Sequence, residues 1–91
     1  MISKKAKLNE ENLMKSIATL QSVSESPTTP RNIRKIIKDT ITTLQNSASS
    51  LGIRAANAIS MLDEVSQDPN MPSFTRVTIW SAVSTLESIR D

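Results

Sequence analysis

Apolar residues along this chain recur three and four positions apart rather than in alternation, which is the period of a helix with one buried face. Leu13, Ile17 and Leu20 keep this step, Ser24 continues it and Met14 lies beside it. They predict a first helix that starts near Asn9 and stops by Ser26, ahead of Pro27. Asn9 suits an N-cap, Glu10 and Glu11 suit the positive end of the helix dipole, and Leu8 with Leu13 fits a hydrophobic staple. Thr29 and Pro30 open a second helix, with Thr as cap and Pro at the first helical position. Its stripe is Ile33, Ile37, Thr40, Ile41 and Leu44, with Ile36 at the flank. Residues 47–50 connect to a third helix, capped by Ser49 or Ser50, with Gly52 in its first turn. That helix presents Ala55, Ala58, Ile59, Leu62 and Val65, and its alanines allow close approach of a neighbour. Asp68-Pro69-Asn70-Met71-Pro72 breaks the chain, and a fourth helix runs from about Ser73 to Arg90. Its expected core positions are Val77, Trp80, Val83 and Leu86, with Phe74, Ile79 and Ile89 adding apolar area.

One stretch reads both ways. Residues 36–43 are rich in β-branched side chains, which favour strands and are poor helix formers. An internal repeat resolves the ambiguity. A shift of 42 residues lays residues 17–44 over 59–86 with ten identities in 28 positions, where chance gives roughly two. Ile17, Leu20, Val23 and Ser24 meet Ile59, Leu62, Val65 and Ser66, and Pro27 and Pro30 meet Pro69 and Pro72. Arg34, Ile37, Thr43 and Leu44 meet Arg76, Ile79, Thr85 and Leu86. A repeat with a Pro-x-x-Pro turn at its centre is a helical hairpin. Its length, and the Arg early in its second helix, resemble the HEAT-type repeat. Two units fall short of a solenoid, so the expected fold is all-α: a four-helix bundle of two repeated hairpins, or one whose open face is covered by another subunit. Hairpin one covers about 9–47 and hairpin two about 51–91 of a single domain. Residues 1–8 are expected to be a flexible basic tail.

Composition narrows the chemistry more than the fold. The chain has no Cys and no His. Disulfides, thiolate metal sites, His-based triads and zinc–water chemistry are therefore excluded within one chain. Carboxylate or Lys catalysis remains formally open. No cofactor is implied. The acidic neighbours Glu10–Glu11 and Asp63–Glu64 point about 100° apart on a helix, so neither forms an acid–base dyad. No apolar run follows the basic start and no stretch is long enough to span a membrane, so a cytoplasmic location is expected.

Net charge is only +2, but it is unevenly placed: residues 1–45 carry eight Lys/Arg and four Asp/Glu, and residues 46–91 carry three and five. Arg31, Arg34, Lys35 and Lys38 form a positive stripe on helix two that Lys4, Lys5 and Lys7 could join. Such a stripe can contact phosphates or nucleic acid, or can simply be a solvated helix face. No aromatic interleaves it, which argues against stacking on single strands. Arg34 and Arg76 are repeat mates, expected to reach a helix end or a carboxylate of their own hairpins, such as Asp68. Trp80 is expected in the core.

Four segments together are similar to uncharacterised protein family 0147, a set of small archaeal proteins. They are Thr29-Pro30-Arg31-Asn32-Ile33-Arg34; Arg54-Ala55-Ala56 with Ala58-Ile59; Asp68-Pro69-Asn70-Met71-Pro72; and Thr75-Arg76 with Ile79-Trp80 and Leu86-Glu87. The resemblance implies a helical fold and carries no catalytic residue with it. The expected function is a non-enzymatic interaction module that binds protein, with a second copy as the favoured partner. Helix four is the expected contact, with Phe74 or Ile79 at its centre and Trp80 inward. The alternative is a nucleic-acid-associated accessory protein that uses the stripe on helix two.

Overall fold

Helix ends in this protein fall where capping residues and prolines punctuate the sequence. The computed structural model describes residues 3–90 and contains α1 (Lys4–Glu25), α2 (Arg31–Gln45), α3 (Leu51–Val65) and α4 (Ser73–Glu87), with no strand among the described residues. Ser50 caps α3 by accepting a hydrogen bond from Ile53 N at 3.3 Å. Two starts differ from expectation. Helix α1 begins at Lys4, with Ser3 accepting from Ala6 N at 3.1 Å, rather than at Asn9. Lys, Ala and Leu are good helix formers and Ser3 is a good cap, so the helix extends back through Lys4–Leu8. The expected tail over residues 1–8 is thus helical from Lys4 onward, while Met1 and Ile2 lie outside the described residues. Leu8 is exposed inside the helix and makes no staple.

Asn9 is buried in α1 and serves the other end of the chain. Its Nδ2 donates to the Arg90 carbonyl at 2.6 Å, and its Oδ1 accepts from Arg90 N at 3.4 Å. Helix α2 starts at Arg31 with Pro30, not Thr29, in the cap position and no side-chain cap. Thr29 instead turns inward, buried, and its hydroxyl donates to the Val23 carbonyl at 2.8 Å. Residues 36–43 are helical as the repeat requires. The hydroxyls of Thr40, Thr42 and Thr43 donate to the carbonyls of Ile36, Lys38 and Asp39, four residues back. This back-bonding satisfies the hydroxyl of Thr40, which can then be fully buried.

The core follows the repeat. Helix α2 buries Ile33, Ile37, Thr40, Ile41 and Leu44, the stripe its spacing predicts. Adding 42 to each number gives Thr75, Ile79, Ala82, Val83 and Leu86, which are the buried residues of α4. Leu20 and Val23 of α1 match Leu62 and Val65 of α3 in the same way, and Thr29 and Met71 are equivalent plugs in the two connectors. Helix α1 packs on α2 and α4, and α3 packs on the same two. Two hairpins therefore close into a four-helix bundle, 45 × 22 × 20 Å along its principal axes, instead of starting an open solenoid.

Candidate interaction surfaces

With Thr75, Ile79, Ala82, Val83 and Leu86 turned inward, the 100° step of the helix sends the largest side chains of α4 outward. Phe74 is 83% exposed, Val77 61% and Trp80 53%. This corrects the expected core of α4: Val77 and Trp80 are surface residues, and Trp80 does not point inward. The expected contact pair is also split, because Phe74 is on the surface while Ile79 is 0% exposed and has no surface to offer. The physical reason is register. Choosing the largest apolar residues favours Trp80, whereas the repeat places small or polar Thr75 and Ala82 in the core. Exposed Ser73, Ser81 and Ser84 complete the outer face. No charged side chain interrupts it. Arg76 is the one ionisable residue of α4 before Glu87, and its guanidinium donates to the carbonyls of Ser66 (2.9 Å) and Asp68 (3.2 Å) in the α3–α4 connector.

Arg34 acts likewise in hairpin one, donating to the carbonyls of Ser26 and Thr29 at 3.1 Å each, the first of which matches the Arg76 contact to Asp68. Ser26 and Asp68 are themselves repeat mates. The arginine pair thus fastens each connector to the helix that follows it. Arg54 closes the remaining connector through a bond from Nη1 to the Leu44 carbonyl at 3.0 Å. Of the basic stripe, Arg31, Lys35 and Lys38 are exposed, and together with half-buried Arg34 they line a shallow recess of about 290 Å³. Lys4, Lys5 and Lys7 do not join it. Roughly 27 Å of helix axis separate Lys7 from the α1 terminus beside the stripe.

A third surface has no single-segment signal in the sequence, because it forms only where α2 meets α3. Ile36, Met61, Val65 and Pro69 floor a groove of about 540 Å³ whose rim includes Asp39, Glu64 and Asp68. The Thr43 hydroxyl, whose proton goes to the Asp39 carbonyl, lies 3.6 Å from the Met61 sulfur. Asp68 is already engaged: Oδ2 accepts from Asn32 Nδ2 at 3.0 Å and Oδ1 from Asn70 N at 2.8 Å. Among the described residues no group of three or more His, Cys, Asp or Glu side chains could hold a metal ion, and no helix is long and apolar enough to cross a membrane.

Comparison with known proteins adds a family and no activity. The model of an uncharacterised protein family, UPF0147, matches residues 1–89. A UPF0147 protein from Metallosphaera sedula is 52% identical over 83 residues, covering 91% of this chain and 93% of that protein. The crystal structure of a UPF0147 protein from Thermoplasma acidophilum superposes with a TM-score of 0.86 at 31% identity, covering 92% of this chain and 99% of that one. The crystal structure of the unknown-function protein MMP1188 gives 0.85 at 37% identity, covering 100% and 98%.

Proposed function

We propose that this chain, which belongs to uncharacterised protein family UPF0147, is a non-enzymatic helical interaction module that docks another protein on the outer face of α4. The observation that carries the reading is the exposure of Phe74, Val77 and Trp80 on one uncharged helix face. Protein interfaces concentrate aromatic side chains and are depleted of charge at their centres, and energetic anchors are enriched in Trp. Weighted by their exposure, burial of these three side chains contributes roughly 3–6 kcal/mol in total, comparable to the low end of association costs, about 4–15 kcal/mol, before the partner's own buried surface is added. The polar groups inside the bundle support a structural role. The hydroxyls of Ser16, Ser24 and Thr40 are spent on the carbonyls of Asn12, Gln21 and Ile36 and leave no activated nucleophile there.

The test is site-specific photocrosslinking in cells expressing the chain at its native level. A photoreactive residue at Val77 should give a discrete protein adduct, and one at exposed Ser22 of α1 should not. Absence of an adduct from Val77 contradicts the reading. One observation favours a second reading, a nucleic-acid-associated accessory role: Arg31, Lys35 and Lys38 stay exposed around a common recess. The commitment of Arg34 to the connector leaves that site three cations, which makes it the weaker of the two.

A further inference from the structure

We infer that the occupant of the α4 face is a second copy of the same chain, paired antiparallel across a two-fold axis that passes level with Ile79. This rests on the reading of α4 as a docking surface and names the partner. Three features of that surface support it.

The first is charge. A two-fold interface brings each patch against itself, so a patch of one sign repels its own copy. The stripe of Arg31, Lys35 and Lys38 and the groove rimmed by Asp39 and Glu64 both carry that penalty. The outer face of α4, from Ser73 to Ser84, carries none.

The second is shape. Bulk lies toward the N-terminal half of the face, in Phe74 and Val77, and serines lie toward the C-terminal half, at Ser81 and Ser84. Antiparallel pairing drops Phe74 into the hollow between Ser81 and Ser84 of the second copy. It also sets Val77 beside the axis against its own counterpart and puts the two Trp80 rings side by side along the other flank. Parallel pairing would set Phe against Phe and leave serine against serine with little between them.

The third is area. Phe74, Val77 and Trp80 offer roughly 350–400 Å² of apolar surface per copy, given that each aromatic buries about 150–250 Å² when fully enclosed. With the flanking serines this comes to roughly 500–600 Å² per copy, below the ~800 Å² per partner of a standard interface and in keeping with a weak dimer that dissociates on dilution.

The experiment combines mass, an intrinsic probe and cysteine chemistry. Sedimentation of the purified chain across the micromolar range should show a mass twice the 10.0 kDa of the chain, falling on dilution. Trp80 is the sole tryptophan, so its emission should shift to the blue as the dimer forms. Val77→Asp, on an exposed side chain, should raise the dissociation constant at least a hundredfold while leaving helicity by circular dichroism unchanged.

The chain has no cysteine of its own, so single-cysteine variants report on geometry cleanly. In the antiparallel pair the two Val77 positions lie about 6 Å apart along the axis and the two Phe74 positions about 15 Å. With a lateral gap of roughly 4–5 Å between facing helices the Val77 Cα atoms lie about 7–8 Å apart, so a short bifunctional thiol reagent should join Val77→Cys readily and should not join Phe74→Cys. Equal cross-linking at both sites would overturn the antiparallel arrangement. A monomer at every concentration whose Val77 photoadduct in cells is a different chain would overturn self-pairing and leave the docking reading standing. A monomer with no adduct, or a dimer indifferent to Val77→Asp, would overturn both.

Discussion

Replacing Ile79 by Ala should damage this protein more than replacing its neighbour Trp80, although tryptophan is the larger side chain. Ile79 is fully buried on the stripe that α4 turns to the core, and Trp80 stands on the outer face. Truncating a buried isoleucine removes its transfer free energy and leaves a cavity, together about 2–5 kcal/mol. A domain of this size loses roughly 4–8 °C in melting temperature per kcal/mol, so a mid-range loss of ~3 kcal/mol corresponds to about 12–24 °C. Trp80→Ala removes a side chain that is already half exposed and leaves no enclosed cavity, so its cost is the transfer energy of the buried half, roughly 1–2.5 kcal/mol, below the mid-range loss at Ile79. The comparison should be made by circular dichroism during urea and thermal unfolding, because removing Trp80 also removes the fluorophore. Low protein concentration keeps self-association out of the readout. A larger loss for Trp80→Ala than for Ile79→Ala would refute the register of α4 and, with it, the surface on which the functional reading stands.

The repeat makes further pairs of expectations. Leu20→Ala and Leu62→Ala, both fully buried equivalents, should each cost about 2–5 kcal/mol in the same unfolding assay, and a negligible effect at either would break the equivalence of the hairpins. Arg34→Ala and Arg76→Ala should each cost about 1.5–3 kcal/mol, because each removes charge-assisted bonds to two connector carbonyls, while Arg31→Ala should stay within about 0.5 kcal/mol. If nucleic acid binds the α2 stripe, three exposed cations limit the slope of log affinity against log salt to about −3 for duplex DNA. A steeper slope measured by fluorescence anisotropy would require cations from elsewhere on the chain.

Much of this fold is legible in the residues themselves, and the places where it is not have physical causes. Ile33, Ile37, Ile41 and Leu44 are large and apolar, so the stripe of α2 and its buried face coincide. The equivalent stripe of α4 includes Thr75 and Ala82, whose side chains carry little hydrophobic signal, so size alone points to Val77 and Trp80. The 42-residue shift holds the correct register, since it carries Ile33 and Thr40 onto Thr75 and Ala82. The start of α1 is ambiguous because Ser3 and Asn9 are both good caps. What decides between them is the Arg90 backbone that Asn9 holds, a contact spanning 81 residues of sequence. Arg34 shows the limit of charge patterning: its helical position joins it to the basic stripe, yet its hydrogen bonds belong to the connector. The α2–α3 groove gathers residues from 36 to 70 and has no local pattern at all.

The docking face itself can be tested by its accessibility in the cell. A Val77→Cys variant and an exposed control, Ser22→Cys, supply single thiols in a chain that otherwise has none. Their labelling rates with a membrane-permeant maleimide should be measured in living cells and in the dilute purified chain. Val77→Cys should label as fast as the control when purified and dilute, and several-fold more slowly in cells, where a protein covers α4. Equal labelling of the two sites in cells would contradict the claim that the outer face of α4 is an interaction surface.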